Sequence, residues 1–256
     1  MSPLREDRVT VEIDEGIAQV RMTRADKHNG IDWPMFEALN EAVDELSAAE
    51  DARVVVLSGE GPSFCSGLDF KSFASSDREP GDGFARAEGE RANFAQRVAY
   101  GWRQLQVPVI AALHGACFGG GLQIALGADL RIAAADTQMS VMEIRYGLIP
   151  DMSLSQTLPR LVRDDVAREL VYTGRIVEAE EALALGLLTR IAPDPLAEAN
   201  ELASAIAGAR PEAIRSAKRL LNEAPGMGAA EALALEAELQ RALIGASELA
   251  ATVSNR

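Results

Sequence analysis

The most informative parts of the sequence are Ser63–Lys71 (SFCSGLDFK) and His114–Gln123 (HGACFGGGLQ), two short stretches that contain glycine. Each follows an apolar run typical of a buried strand, Val54–Leu57 before the first and Val109–Leu113 before the second, and each leads into a segment with helical character. A helix that starts at such a turn leaves backbone N–H groups without intrahelical partners at the positive end of its dipole. Two such turns, side by side, are equipped to hold one oxyanion between them.

The bulk composition limits the classes of protein to which the chain can belong. Its 256 residues are enough for one large α/β domain, or for one domain with a helical appendage. The formal net charge of −14 argues against nucleic acid as a partner, because phosphate binding depends on Lys and Arg. The only lysines are Lys27, Lys71 and Lys218, so an anionic ligand must be met by local positive charge against an unfavourable overall field.

Three further features bear on the cellular compartment. No apolar run reaches the roughly 18 residues of a membrane span, and the charged N-terminus lacks the apolar core of a signal peptide. The two cysteines, Cys65 and Cys117, are too few for a disulfide framework, and we interpret them as small buried residues in a reducing compartment. His28 and His114 do not complete a metal-binding set with them. We therefore expect a cytoplasmic protein with no membrane contact and no metal site.

The order of the predicted elements indicates a strand-rich core followed by helices. Alternating apolar and polar residues predict a hairpin near the N-terminus, and strands then alternate with helices, the first of which is capped by Asp32. Beyond about residue 196 the pattern is helical alone. The sequence thus predicts a core domain over 1–195 and a helical C-terminal region over 196–256.

The chain resembles the enoyl-CoA hydratase/isomerase (crotonase) superfamily. The residues that carry the resemblance are Phe64–Asp69 and Gly115–Gly121, followed by Ala128–Ala133. The resemblance extends from the first strands to about Asn222 and is weaker beyond. It implies a crotonase-like α/β fold, in which ββα repeats form a β-spiral core, with a C-terminal helical region for trimerisation.

The resemblance also implies which residues bind and activate a thioester. By position, the oxyanion donors are the backbone N–H groups of Leu68 and Gly120, and a Cβ at residue 120 is expected to crowd the thioester oxygen. An acyl-CoA is thus the implied substrate, CoA is part of that substrate, and no metal or redox cofactor is implied. The residues implied to bind CoA are Lys27, Ser66, Leu68, Asp69, Lys71 and Gly120. For the two lysines, the alternative is that they are solvated surface charges.

Two more implications concern the surface of the molecule. The family packs its C-terminal helices across a homotrimer, often as a hexamer built from two trimers, so helices with apolar faces that need a partner are expected here. The turn-rich, charged segment 72–90 corresponds to the part that covers the acyl pocket in the family. We expect it to be mobile and to set substrate choice, and we expect a helix over 87–106.

The acid and base groups decide which reaction such a site performs. Family hydratases place two glutamates on opposite sides of a water molecule, and here the matching positions hold Gln123 and Glu143. An amide cannot exchange a proton near neutral pH, so Gln123 argues against efficient hydration and is left to orient a water or a substrate.

The surroundings of Glu143 favour a catalytic role. The apolar neighbours Met142, Ile144 and Leu148 suggest a pocket that raises the pKa of the carboxyl group towards the working range of a general base. The alternative is an ion pair with a nearby arginine, at position 145 or 131.

Asp151 directly follows Gly147–Pro150 and has two interpretations. The dienoyl-CoA isomerase branch of the family has an aspartate at this spacing after the glutamate, but it also has one at the position of Gln123, so the match is incomplete. The alternative is an N-cap for the helix that begins near Leu154, a role that Ser153 is also able to fill.

Together these features predict a double-bond isomerase that acts on an acyl-CoA. Glu143 would remove a proton alpha to the thioester carbonyl, Leu68 and Gly120 would hold the enolate, and the proton would return further along the chain. Glu143 alone would convert a 3-enoyl to a 2-enoyl thioester, and with Asp151 a 3,5-diene would become a 2,4-diene. The alternatives are a 2-enoyl-CoA hydratase of fatty-acid degradation weakened by Gln123, another enolate reaction such as decarboxylation or thioester hydrolysis, and a non-catalytic CoA-binding subunit.

Overall fold

The computed structural model describes residues 8–75, 81 and 83–245. Strands in this part of the chain form one six-stranded and one three-stranded sheet. The strands are β1 (Val9–Asp14), β2 (Ile17–Met22), β3 (Val54–Gly59), β4 (Val109–Leu113), β5 (Ala116–Phe118), β6 (Leu130–Ala133), β7 (Gln138–Ser140), β8 (Val177–Glu178) and β9 (Arg190–Ile191). The large sheet runs β1-β2-β3-β4-β6-β9 and the small sheet runs β5-β7-β8.

Helices cover both faces of the large sheet and make up most of the C-terminal part. The α-helices are α1 (Trp33–Ala48), α2 (Phe70–Ala74), α3 (Phe94–Gln104), α4 (Gly120–Gly127), α5 (Leu154–Thr157), α6 (Asp164–Thr173), α7 (Ala179–Leu185), α8 (Pro195–Ala207), α9 (Pro211–Glu223) and α10 (Ala229–Gly245). Short 3-10 turns lie at Ala25–Lys27, Glu143–Tyr146, Leu158–Arg160 and Ala224–Gly226.

The strand directions in the large sheet fit the burial of its strands. β1 and β2 pair antiparallel through the turn at Glu15 and Gly16, both of which have positive φ. All other pairs in this sheet are parallel, and every residue of β4 is buried, as expected for parallel strands covered on both faces. α1 lies in the main core, with its first turn capped by the Asp32 side chain as predicted.

The first helix of the predicted C-terminal region is part of the core. α8 places Ala199, Ala203 and Ala207 against Val56 and Ile110 on the second face of the sheet. Its small side chains let the helix approach the strands closely. α9 and α10 pack against each other, and Leu221, Leu233 and Ile244 on them are exposed. The division at residue 195 and the trimer stay predictions.

The middle of the chain differs in part from its predicted structure. The prediction of a helix over 87–106 was wrong about where the helix starts, because α3 begins only at Phe94. A capping box explains the start: the Asn93 side chain accepts from Gln96 N–H, and the Gln96 side chain accepts from Asn93 N–H. Within the segment 72–90, residues 76–80 and 82 lie outside the described residues, so its mobility and its role in substrate choice stay predictions.

The described helices do not meet the requirements of a membrane span. None of them combines the length and the apolar character needed to cross a bilayer.

Candidate active site

The two glycine turns lie side by side. Cys65 and Cys117 form a short parallel bridge, in which Cys65 N–H donates to Ala116 O at 3.0 Å and Phe118 N–H donates to Cys65 O at 3.0 Å. A Cβ added to Gly67, which has a φ of 91°, would lie 2.8 Å from Phe118 O and 3.7 Å from the Gly120 nitrogen. The chain therefore needs glycine at 67 for both conformation and space.

The two expected oxyanion donors, the N–H groups of Leu68 and Gly120, make no hydrogen bond within the described part of the protein. Ile31 N–H donates to Gly67 O at 2.8 Å and Asp69 N–H donates to Ile31 O at 2.9 Å, a parallel bridge that leaves the Leu68 N–H pointing away from Ile31. Gly120 is the first residue of α4, where an N–H has no intrahelical acceptor. Within the described part of the chain, no acceptor takes either N–H group.

The reason for glycine at 120 differs from the one expected. A Cβ there would lie 2.9 Å from Met152 Sδ and 3.0 Å from Ile31 Cδ1. Crowding by protein side chains is therefore enough to favour glycine. The expectation that a Cβ would crowd a thioester oxygen is not needed to explain the residue.

Glu143 is held beside the second turn by Gln123. Its Oε1 accepts a hydrogen bond of 2.6 Å from Gln123 Nε2, and Gln123 Oε1 accepts one of 2.8 Å from the backbone N–H of Met152. A Cβ on Gly119 would lie 3.3 Å from Glu143 Oε1, so the carboxylate lies against the start of α4. Glu143 is only 7% exposed. Its Oε2 is buried and has no hydrogen-bond partner among the described residues.

Burial determines the protonation behaviour of Glu143. Desolvation raises the pKa of its carboxyl group, and the negative charge of Asp151 adds to that rise, while the Gln123 hydrogen bond opposes it. The expected elevation of the pKa is therefore supported. Its expected source was wrong in part, because Ile144 is 42% exposed and Leu148 43% exposed, whereas the carboxylate contacts α4.

An ion pair does not explain Glu143. The Arg131 guanidinium is buried and donates to Leu187 O and Ala128 O, each at 2.7 Å. Arg145 is exposed, and no ion pair joins it to the carboxylate. Glu143 is thus a buried carboxylate with an amide partner and one free oxygen.

Asp151 lies close enough to Glu143 for its charge to be felt there. Partial burial raises the pKa of Asp151 itself. α5 begins at Leu154 after Ser153, which has a φ of 69°, and no side chain caps this helix. The structure therefore brings Glu143, Gln123 and Asp151 together and gives Asp151 no capping role.

A cleft of about 620 Å³ runs along the first turn. It contains five of the six residues expected to contact CoA, and only Gly120 is not among its lining. The cleft is lined by Lys27, Ser66, Leu68, Asp69 and Lys71, together with Arg24. The two lysines are exposed on it, and they supply local positive charge in an acidic protein.

The Asp69 carboxylate shapes this cleft. It accepts a hydrogen bond of 2.9 Å from Arg24 Nη2 and one of 3.2 Å from Ser72 N–H, which caps α2. Arg24 and the cap hold the pKa of Asp69 below its usual range against a desolvation cost that acts in the opposite direction. Asp69 therefore fixes the Lys71 segment in place.

Sequence reasoning missed two residues that hold the first turn. Arg24 is largely buried and also donates to Gly30 O at 2.8 Å, which ties the loop before α1 to Asp69. Asn29, fully buried with a φ of 53°, donates from Nδ2 to Glu60 O and Ser63 O, each at 2.9 Å. Asparagine tolerates this left-handed conformation, but nothing in the sequence identifies these partners.

The cysteines are buried, as expected. Burial raises the pKa of the Cys65 thiol to about 12 and raises that of Cys117 well above its usual value. Neither thiol is therefore activated as a nucleophile. Over residues 8–75, 81 and 83–245, no group of His, Cys, Asp and Glu side chains is arranged to hold a metal ion.

The sequence and the fold are similar to those of known proteins. The sequence profile of the family described as enoyl-CoA hydratase/isomerase matches residues 12–253. The human mitochondrial Delta(3,5)-Delta(2,4)-dienoyl-CoA isomerase is 31% identical over 93% of this chain and 75% of its own length. The human mitochondrial methylglutaconyl-CoA hydratase is 30% identical over 88% of this chain and 66% of its own length. The crystal structure of enoyl-CoA hydratase from Bacillus anthracis has a TM-score of 0.86 at 27% identity and covers 97% of both chains.

Proposed function

Because the chain belongs to the enoyl-CoA hydratase/isomerase family and has its α/β fold, we propose that it is an acyl-CoA double-bond isomerase. Glu143 Oε2 takes a proton from the carbon alpha to the thioester carbonyl of a 3-enoyl-CoA. The Leu68 and Gly120 N–H groups hold the oxygen of the resulting enolate. The proton then returns from Glu143 to the gamma carbon, which moves the double bond to position 2 and leaves the composition of the substrate unchanged.

The observation that carries this proposal is the hydrogen-bonded chain from Met152 through Gln123 to Glu143. It occupies one carboxylate oxygen and leaves Oε2 free, so the site contains one oriented base. Gln123 uses its oxygen and one N–H for these bonds and has no carboxylate to exchange protons with water. This arrangement favours proton transfer between two carbons over the addition of water.

Asp151 extends the proposal to conjugated substrates. A second carboxylate with a raised pKa, close to Glu143, is suited to deliver a proton to a more distant carbon. We therefore propose that the protein also converts a 3,5-dienoyl-CoA to a 2,4-dienoyl-CoA. The similarity to the human dienoyl-CoA isomerase supports this extension.

The second candidate function is hydration of a 2-enoyl-CoA. The similarity to the human methylglutaconyl-CoA hydratase supports it. In this candidate Glu143 activates a water that the second N–H of Gln123 helps to orient. The absence of a second carboxylate at 123 makes it the weaker of the two.

The binding side of the proposal follows from the cleft. We propose that Lys27 and Lys71 meet the phosphate groups of CoA, because they are the exposed lysines on this cleft and the rest of the chain is strongly acidic. Proton transfer of this kind needs no metal or redox cofactor. We also propose a homotrimer or a hexamer. Exposed apolar side chains close to Glu143 in the chain, including Tyr146 and Ile149, support this proposal. A cytoplasmic location stays a prediction.

The deciding experiment supplies purified protein with 2-enoyl-, 3-enoyl- and 3,5-dienoyl-CoA and resolves the products by mass and ultraviolet absorbance. Isomerisation keeps the mass and changes the conjugation, whereas hydration adds the mass of one water. We expect isomerisation by the parent protein and none by Glu143→Gln. Robust hydration by the parent would overturn the proposal in favour of the second candidate, and no turnover of any substrate would favour a CoA-binding role.

A further inference from the structure

A second cavity has a lining that includes none of the proposed catalytic residues. It measures about 870 Å³, lies between α3, the 3-10 turn Leu158–Arg160 and α9, and shares no lining residue with the Lys27 and Lys71 cleft. We call it the arginine cavity, because its lining includes six basic side chains. They are Arg91, Arg103, Arg160, Arg215, Lys218 and Arg219.

Three of the six basic side chains have hydrogen-bond partners within the protein, although the Nε of Arg215 is buried without one. Lys218 Nζ donates to Val107 O at 2.8 Å and to Asp129 at 2.8 Å. Arg215 donates to backbone carbonyls of the loop after α1, and Arg219 pairs with Glu223 and Glu238. Glu223 is the one carboxylate among the described lining residues, and it is already paired.

The other three have no acceptor. Across the described part of the chain, the side chains of Arg91, Arg103 and Arg160 make no hydrogen bond and no ion pair. Arg103 is partly buried: desolvation and the positive charge of Arg160 lower the pKa of its guanidinium, while Tyr100 and the negative charge of Asp129 oppose that fall. Two cations thus lie near each other at the edge of the cavity, where a bound anion would reduce their repulsion.

This cluster contrasts with several other arginines of the molecule. The chain has 39 acidic and 25 basic residues, and carboxylates partner some of its arginines, as in Arg24–Asp69 and Arg175–Glu181. With acidic side chains in such excess, an unpaired arginine cluster around a cavity indicates that the counter-charge comes from outside the chain.

The chemistry of the lining indicates the class of ligand. Guanidinium groups form paired, charge-assisted hydrogen bonds with phosphate oxygens, and two or three of them together match a phosphate dianion. The volume lies within the roughly 300–1,000 Å³ of small-molecule pockets and is far larger than a bare phosphate needs. Tyr100, Met227 and Leu239 provide less polar surface for the remainder of a ligand.

We propose that the arginine cavity binds a phosphorylated small molecule, with its phosphate group held by Arg103 and Arg160. The site is separate from the acyl-CoA cleft, and the inference does not depend on the proposed function. Arg91 lies on the same cavity and adds to the positive potential at its mouth.

Isothermal titration calorimetry tests the proposal with the full chain at constant ionic strength. The probes are inorganic pyrophosphate and glucose 6-phosphate, with glucose as the uncharged control. The variants are Arg103→Gln and the exposed Arg160→Gln, and the matched control is Arg145→Gln, an exposed arginine outside the cavity. Circular dichroism confirms that each variant is folded.

We expect saturable binding of a phosphorylated probe that each cavity variant weakens by about tenfold or more, the effect of one lost charge-assisted hydrogen bond. Arg145→Gln should bind as the parent does. Absence of saturable binding would overturn the proposal, and so would equal weakening by Arg145→Gln, which indicates a general charge effect. Binding lost in Lys71→Gln and retained in the cavity variants would place the anion in the CoA cleft and also overturn it.

Discussion

The candidate active site has two sides that are built in different ways. The enolate side consists of backbone, the N–H groups of Leu68 and Gly120, and glycines that allow the two turns to touch. The proton side consists of side chains, Glu143, Gln123 and Asp151, which are held by one hydrogen-bonded chain and by burial.

The difference separates the class of chemistry from the particular reaction. Backbone donors stabilise an enolate oxygen whatever happens next, so the enolate side is compatible with every reaction of the family. The side chains decide where the proton goes, so a single amide in place of a carboxylate changes the expected product. Substitutions on the two sides should therefore fail in different ways.

The largest effect is expected on the proton side, for Glu143→Gln. Loss of the general base should lower isomerase turnover by about 10²–10⁴-fold, since the replacement has the same shape but accepts no proton. Initial rates with 3-enoyl-CoA measure this loss, and Glu201→Gln, at an exposed position on α8, is the control that should behave as the parent. Turnover within a few-fold of the parent would remove Glu143 from the mechanism.

The same variant should be more stable than the parent at neutral pH. The folded protein raises the pKa of Glu143, so protonation favours folding, and the parent loses stability as pH rises from the ordinary value near 4.5 through the raised one. The amide that Glu143→Gln introduces carries no charge to bury, so the variant avoids this loss. Thermal unfolding at pH 7 and pH 4 should show a higher midpoint for the variant at pH 7 only. A gain that is equal at both values would contradict the assigned cause.

On the enolate side, Gly120→Ala and Gly121→Ala form a matched pair. A Cβ at 120 meets the flexible ends of Met152 and Ile31, so the fold should tolerate it, while turnover falls on the order of 10²-fold because the donor and the Gln123 support shift. A Cβ at 121 would lie 2.5 Å from Cys65 O, a backbone atom, and should cost about 1–3 kcal/mol of unfolding free energy. Urea denaturation and initial rates separate the two; equal destabilisation by both would contradict the distinction.

Gln123→Glu tests whether the choice of an amide or a carboxylate at position 123 decides between isomerisation and hydration. A second carboxylate restores the pair that adds water, so hydration of a 2-enoyl-CoA should rise by about tenfold or more. The variant also loses the hydrogen bond that opposes the rise in the pKa of Glu143, so the acid limb of the isomerase pH profile should move to higher pH. Product mass and the pH profile report the two effects.

Gln123→Met is the matched control for that substitution, because it removes the hydrogen bond without adding a charge. It should move the acid limb in the same direction and produce no hydration. If Gln123→Glu adds no water and leaves the pH profile in place, position 123 does not decide the reaction.

The smallest effect on the simple isomerisation is expected for Asp151→Asn. Removing its negative charge lowers the pKa of Glu143, so the acid limb should move to lower pH, with turnover of 3-enoyl-CoA nearly unchanged. Turnover of 3,5-dienoyl-CoA should be lost if Asp151 delivers the second proton. Turnover of 3,5-dienoyl-CoA by the variant at the rate of the parent would show that Asp151 does not deliver that proton.

Much of the enolate side was predictable because its information is local. A buried strand, a glycine turn and a helix start lie within about ten residues of each other, and their backbone geometry follows from that order. The start of α3 was missed although Asn93 and Gln96 have the spacing of a capping box, since the apolar pattern continued through the preceding turns. The roles of Arg24 and Asn29 were not predictable, because their acceptors lie on distant segments.

By itself, the sequence determined the α/β fold, the two turns, the buried cysteines and the candidates Glu143, Gln123 and Asp151. Only the tertiary structure decided that Gln123 bonds Glu143, 20 residues away, and is itself held by Met152, 29 residues away. It also decided that Arg103 and Arg160 line one cavity without an acceptor. The physical reason is that hydrogen bonds and buried charges depend on which side chains the packed core brings within about 3 Å, a distance that spacing along the chain does not encode.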